Sequence, residues 1–155
     1  MRIKIQDKIP YQQALKWQWH HSYLHNRGTE AWLNNEIPFA ITSNYRAAWQ
    51  NARMIFEVLQ SQPQRKGKPE PIYILETGGG LGVFALNFLR AFTALCQEAG
   101  TDYFERLHYL LTDYSHKTLE EVALNPYISD WREQGTLELY VMDLTEPDTM
   151  TESIK

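Results

Sequence analysis

The residues best suited to chemistry in this sequence lie in one short run, Glu76-Thr77-Gly78-Gly79-Gly80-Leu81-Gly82. Glycine permits positive φ angles and lets a ligand approach the backbone closely, because no Cβ stands in the way. The first N–H groups of a following helix carry a partial positive charge that suits a polar or anionic ligand. The run therefore predicts a ligand-binding turn, and the alternative is a Gly-rich turn that merely joins a strand to a helix.

Two further acids stand at the ends of predicted strands. Asp113 ends the run Leu110-Leu111-Thr112-Asp113, and a carboxylate at such a position can accept both hydroxyls of a ribose. The alternative is that Asp113 caps the next helix. Asp143 ends the third predicted strand, although polar residues commonly end strands for structural reasons alone.

The spacing of the glycines bears on whether the turn binds a dinucleotide. Dinucleotide-binding turns follow the pattern GxGxxG, with an acid about 20 residues further on. Here the glycines are Gly78, Gly80 and Gly82, and the third position of the dinucleotide pattern is Val83. Valine is too large for the close approach of helix and strand in that fold. Asp113 lies 31 residues beyond Gly82, and the long first helix with the loop over residues 100–107 accounts for the larger spacing. The register therefore disfavours an NAD-type site.

The elements that must position these residues form an α/β pattern. Short apolar runs predict strands over residues 71–75, 108–112 and 136–142, separated by helices over residues 82–98 and 115–124. Such alternation implies a parallel sheet of about three strands. We predict that residues 72–155 form this sheet domain and that a linker over residues 62–71, which contains three prolines, precedes it.

Residues 1–61 are predicted to form a helical amino-terminal segment. One helix is expected over residues 11–23, with a stop at Asn26-Arg27-Gly28, and a short one over residues 30–34. A third helix begins at a cap supplied by Thr42, Ser43 or Asn44 and runs to about residue 60.

The acidic residue and the spaced glycines, set between an apolar strand and an apolar helix, resemble the first motif of class I S-adenosylmethionine-dependent methyltransferases. The resemblance implies a Rossmann-like fold, S-adenosylmethionine as the cofactor, and a methyltransferase activity. The resemblance implies that the methionine part of the cofactor lies over Gly78, Gly80 and Gly82 and that Glu76 holds its amino group. It also implies that Asp113 binds the ribose and that Asp143 contacts the adenine.

A narrower similarity links the chain to the MidA-like methyltransferases, which include an enzyme that methylates a protein arginine. Besides the glycine run, the segment Phe39-Ala40-Ile41-Thr42-Ser43-Asn44 is similar to that family's Phe-x-Thr-Ser/Ala-Pro segment. Asn44 replaces the proline, and Ile37-Pro38 replaces the family's Gly-Asp. The resemblance makes a protein side chain one candidate methyl acceptor.

The family's sheet has about seven strands, and this sequence ends at Lys155, soon after the third. The expectation is therefore a partial domain without its acceptor site, so no catalytic base is assigned. Its first strand becomes an exposed edge that favours association. Three functions follow: a methyltransferase whose remaining half is supplied by another chain or is missing from this sequence, a cofactor-binding module without turnover, and, least favoured, an NAD-type domain.

Composition and charge bear on the binding partners and the cellular location of the protein. The net charge of −4 disfavours a nucleic-acid binder, and we interpret the basic run at residues 64–68 as a solvated linker rather than a phosphate site. Cys96 is the only cysteine, so no disulfide forms within the chain. With no signal-like or membrane-spanning run, a cytoplasmic location is expected.

Three histidines, His20, His21 and His25, suggest a metal site because His21 and His25 are four residues apart. No HExxH pattern accompanies them, and the ligand count is too small for a zinc site. We therefore interpret them as a polar helix face and predict no metal.

Overall fold

The computed structural model describes residues 4–62, 69–151 and 153–154. The basic run at residues 64–68 and most of the predicted linker lie outside the described residues. The described chain combines helices with a three-stranded parallel sheet, which confirms the predicted α/β class.

The sheet has the order β1-β2-β3, so each strand lies beside its predecessor in the chain. Its strands are β1 (Ile72–Thr77), β2 (Leu107–Asp113) and β3 (Leu137–Val141). The connecting helices are α4 (Val83–Ala99), then α5 (His116–Ala123) and α6 (Ser129–Glu133). Every predicted strand is present within a few residues of its expected bounds, whereas the short helix α6 was not predicted. Parallel pairing brings the carboxyl ends of all three strands to the same end of the sheet, where the glycine turn begins. We call this end the carboxyl edge of the sheet.

The core lies on one face of the sheet, because successive side chains of a strand point to opposite faces. Tyr109 of β2 is buried there and contacts Phe88 of α4, with ring centroids 5.3 Å apart. The helix α3 (Tyr45–Ser61) packs alongside α4, with Phe56 against Phe92. On the opposite face of β1, Tyr73 is 65% exposed and Leu75 is 54% exposed.

The amino-terminal segment contains α1 (Leu15–Arg27) and α2 (Glu30–Leu33). The predicted helix over residues 11–23 is wrong at its start, because residues 11–13 form a separate 3-10 turn and Ala14 is extended. The side chain of Gln6 accepts a hydrogen bond from the Leu15 N–H at 2.7 Å, which satisfies a donor that a helix start leaves unpaired.

The predicted helix boundaries that rest on capping residues are confirmed. Gly28 ends α1 with a φ of +58°. Of the three candidate caps for α3, the structure uses Asn44, whose Oδ1 accepts the Ala47 N–H at 2.9 Å. Ser115 caps α5 by accepting the Thr118 N–H.

A polar clamp joins the amino-terminal helices to α5. The N–H and the hydroxyl of Thr29 both donate to Glu121 Oε2 at 2.7 Å. Nearby, Lys117 donates to the Asn26 carbonyl at 2.7 Å. Gly28 lies so close to this clamp that a Cβ there would be 2.5 Å from Glu121 Oε2. These contacts place α1 and α2 against the carboxyl edge of the sheet.

The two outer strands of the sheet, β1 and β3, differ in what pairs with their free sides. Among the described strands β1 pairs only with β2, so it forms the edge that the sequence predicted. Beside β3, the N–H groups of Thr151 and Ile154 donate to the carbonyls of Val141 and Leu139. Association through the β1 edge stays a prediction. Within the described part of the chain, each helix is too short or too polar to cross a membrane.

Candidate ligand-binding site

The turn after β1 is built on glycines with left-handed backbone angles. Gly78, Gly80 and Gly82 have φ values of +69°, +50° and +68°. An L-residue in this region costs roughly 1–2 kcal/mol, so the turn's path depends on these glycines. The three predicted glycines are therefore the ones that the backbone requires.

The three glycines differ in how much room an added side chain would have. A Cβ on Gly78 would meet no atom within 4 Å. A Cβ on Gly80 would lie 3.4 Å from the ring of Trp32, which α2 places over the turn, and one on Gly82 would lie 3.0 Å from Val122. A ligand can therefore approach the backbone most freely at Gly78, whereas Gly80 and Gly82 face protein.

Gly79 is a required residue that sequence reasoning did not single out. A Cβ there would lie 2.7 Å from Leu111 in β2, a buried side chain of the core. The Gly79 N–H donates to the Thr112 carbonyl at 2.9 Å, which continues the pairing of β1 with β2 into the turn. Nothing in the local sequence distinguishes Gly79 from its neighbours, because the contact lies on another strand.

Asp113 ends β2, as predicted, and fastens the glycine turn to that strand. Its side chain is buried, with the residue 4% exposed. Oδ2 accepts the Gly80 N–H at 3.0 Å, and Oδ1 accepts the Ser115 N–H at 2.9 Å. The helix cap itself is Ser115, so Asp113 does not serve as the N-cap that was the alternative. Burial raises the pKa of Asp113, and the backbone N–H groups of Ser115 and Gly80 oppose that rise.

We predict that Asp113→Asn destabilises the fold by about 1–3 kcal/mol, because each carboxylate oxygen holds a different backbone N–H. Asparagine has one acceptor oxygen, and its NH2 would face a donor. The free energy of unfolding from urea denaturation measures the loss. Asp143→Asn is the matched control, since Thr145 donates both of its hydrogen bonds to Asp143 Oδ1 alone. Equal losses in the two variants would contradict this role of Asp113.

Glu76 lies immediately before the turn, in the last part of β1. Its Oε2 accepts the Tyr109 hydroxyl at 2.7 Å. Burial raises the pKa of Glu76 to about 7, the Tyr109 hydrogen bond lowers it, and the charge of Asp113 raises it further. The carboxyl group beside the turn therefore changes its charge near neutral pH.

Asp143 lies at the same edge, two residues beyond the end of β3. The Met142 N–H donates to the Asp113 carbonyl at 2.9 Å, so the two predicted strand ends are joined. The Asp143 carboxylate accepts the N–H and the hydroxyl of Thr145 at 2.8 and 2.7 Å. These bonds lower the pKa of Asp143, and the nearby His21 lowers it too. The observed role of Asp143 is to shape a turn.

Sequence reasoning also missed the contribution of α1 to this edge. The His21 ring stacks on the Tyr114 ring with centroids 4.7 Å apart, and the His20 ring lies 6.4 Å from the same tyrosine. The charge of His20 lowers the pKa of Asp113. These histidines thus face the site, although no group of three metal-ligating side chains occurs among the described residues. The sequence around His20 and His21 did not indicate this position, because Tyr114 lies far along the chain.

A cleft lies away from the glycine turn, beside α6 and the start of β3. It has a volume of about 380 Å³ and is lined by residues of α6, the start of β3 and the carboxyl-terminal segment, including Arg132, Leu137 and Ile154. Arg132 is engaged there, since it donates to the carbonyls of Ala123 and Ile154 at 2.8 and 3.0 Å. The three acids that the sequence predicted for the site, Glu76, Asp113 and Asp143, lie instead at the carboxyl ends of the strands.

Comparisons of the chain with protein-family models, with curated proteins and with solved structures find no match. The functional argument therefore starts from the carboxyl edge of the sheet. That edge brings together Glu76, the glycine turn, Asp113 and Asp143, with Trp32 over Gly80 and His21 on Tyr114.

Proposed function

We propose that the carboxyl edge of the sheet binds S-adenosylmethionine, and that the chain is the cofactor-binding part of a class I, Rossmann-like methyltransferase. The observation that carries the proposal is the open space at Gly78, in a turn that directly follows Glu76 and is held by the Asp113 carboxylate through the Gly80 N–H. Open α/β sheets bind ligands outside the carboxyl ends of their strands, and the glycine turn lies at that end of β1.

The residues present fit the cofactor's parts. A Cβ at Gly78 would meet no atom within 4 Å, and this open space is where the proposal puts the methionine part. The Glu76 carboxylate, when ionised, attracts the ammonium group. A carboxylate offers about four acceptor sites, and the backbone N–H groups of Ser115, Gly80 and Tyr114 face that of Asp113, so some acceptor capacity remains for a ribose hydroxyl. The resemblance assigns Asp143 to the adenine amino group.

The cofactor supplies a methyl group made electrophilic by its sulfonium. The chain's own contribution is to hold the turn through Asp113 and to orient the bound molecule, since alignment supplies much of the acceleration in such transfers. The similarity to the MidA-like enzymes makes a protein side chain the first acceptor to test. We assign no general base.

Isothermal titration of the whole chain tests the proposal. We expect S-adenosylmethionine and its demethylated product, S-adenosylhomocysteine, to bind, and NAD not to bind. Binding of NAD without either S-adenosyl ligand would reassign the turn to dinucleotides. Absence of binding by all three ligands would contradict the proposal as well.

A further inference from the structure

The aromatic ring of Tyr114 follows Asp113 directly and lies at the candidate site. Burial raises the pKa of Tyr114, and the nearby charges of Asp113 and Asp143 raise it further. The Met142 N–H donates to the Asp113 carbonyl at 2.9 Å, so the segment that carries Asp143 lies next to the segment that carries Tyr114. Its hydroxyl is buried without a hydrogen-bond partner among the described residues. Tyr114 thus contributes a flat apolar surface with carboxylates nearby.

That combination suits a particular class of ligand. Planar heteroaromatic rings stack on tyrosine because they present a π-face, and their N–H groups donate to carboxylates. The surface is covered in this structure, since the His21 ring stacks on Tyr114 at a tilt of 22° with centroids 4.7 Å apart. Atoms in contact need about 3.5–4 Å, so a third ring between the two would need roughly twice that separation. A ligand ring that stacked on this face of Tyr114 would therefore have to displace His21.

Hydrogen bonds to α5 fix the helix that carries His21. It projects from α1, which is fastened to α5 by the Thr29–Glu121 and Lys117–Asn26 hydrogen bonds. The charge of His21 also lowers the pKa of Asp143, so the imidazole lies within electrostatic range of the acid beyond β3.

We propose that His21 is an occluding side chain, whose imidazole covers the face of Tyr114 that the ligand's planar base must use. The inference rests on the proposed function, because it takes that base to be the adenine of the S-adenosyl ligand. Binding then includes displacement of His21, and the cost of breaking the stack weakens the observed affinity.

The test compares three variants by titration with S-adenosylhomocysteine and with adenosine. His21→Ala is expected to bind both ligands about five- to tenfold more tightly than the unaltered chain, because the stack no longer has to be broken. His21→Phe keeps a flat ring on Tyr114 and is expected to bind like the unaltered chain. His25→Ala, one turn further along α1, is the matched control and should change nothing.

Each outcome decides a different point. If the unaltered chain binds S-adenosylhomocysteine and His21→Ala binds it equally or more weakly, the occlusion is wrong while the proposed function stands. Tightening in both His21→Ala and His21→Phe would show that the imidazole's charge, not its stacking, matters, and would also overturn the inference. Failure of every variant to bind either ligand would count against the proposed function itself.

Discussion

Gly78→Ala is expected to weaken binding of S-adenosylmethionine by roughly tenfold to a hundredfold while the chain stays folded. Gly78 is the turn residue whose added Cβ would enter open space, which is where the proposal places the ligand. The new methyl group would meet no protein atom within 4 Å, so the loss would arise in the complex. Titration calorimetry at one pH and one salt concentration measures it.

The chain offers a matched control for this change. Gly100 ends α4 with a φ of +62° and also has no atom within 4 Å of an added Cβ. Gly100→Ala therefore carries the same kind of backbone strain, roughly 1–2 kcal/mol, away from the turn. We expect both variants to lose similar stability and only Gly78→Ala to lose affinity. Normal binding by Gly78→Ala would show that the turn merely connects β1 with α4.

The largest pH effect is expected from Glu76. Its pKa rises from the ordinary value of 4.5 to about 7 in the folded chain, mainly through burial. The folded state thus holds this proton more tightly than the unfolded state does. The stabilisation is complete below pH 4.5, falls as the pH rises through 7, and its loss corresponds to about 3 kcal/mol. Urea denaturation between pH 5 and 8 measures the fall in the free energy of unfolding.

Glu76→Gln separates this contribution from that of Asp113, whose pKa is also raised. The glutamine oxygen can still accept the Tyr109 hydroxyl, but the side chain has no proton to lose in this range. We expect the variant to lose most of the pH dependence and to exceed the unaltered chain in stability at pH 8. A pH profile that Glu76→Gln leaves unchanged would contradict the assignment.

The same titration bears on the ligand. An ammonium group is attracted by the ionised carboxylate, so affinity for S-adenosylmethionine should rise about tenfold per pH unit between pH 5 and 7 and then level off. Methylthioadenosine lacks the amino acid part, and its affinity should not follow this titration of Glu76. The comparison therefore tests whether Glu76 faces the amino group.

Local chemistry made much of the fold predictable from sequence. The apolar runs and the turns between them indicated the strands. Gly28 and the run Thr42-Ser43-Asn44 marked helix ends, because left-handed backbone and side-chain caps favour those residue types. The start of α1 was not predictable in this way. It depends on the Gln6 side chain, nine residues before the donor that it satisfies.

The sequence by itself determined which residues have the chemistry for a site: the acids at the strand ends and the glycines that adopt positive φ. Tertiary structure alone decided what each one touches. Asp113 reaches Gly80 across 33 residues, and Glu121 reaches Thr29 across 92. It also set Leu111 against Gly79 and His21 on Tyr114. Local patterns report which face of an element is apolar, whereas the pairing of distant residues follows from strand register and helix packing, which no single stretch of sequence encodes.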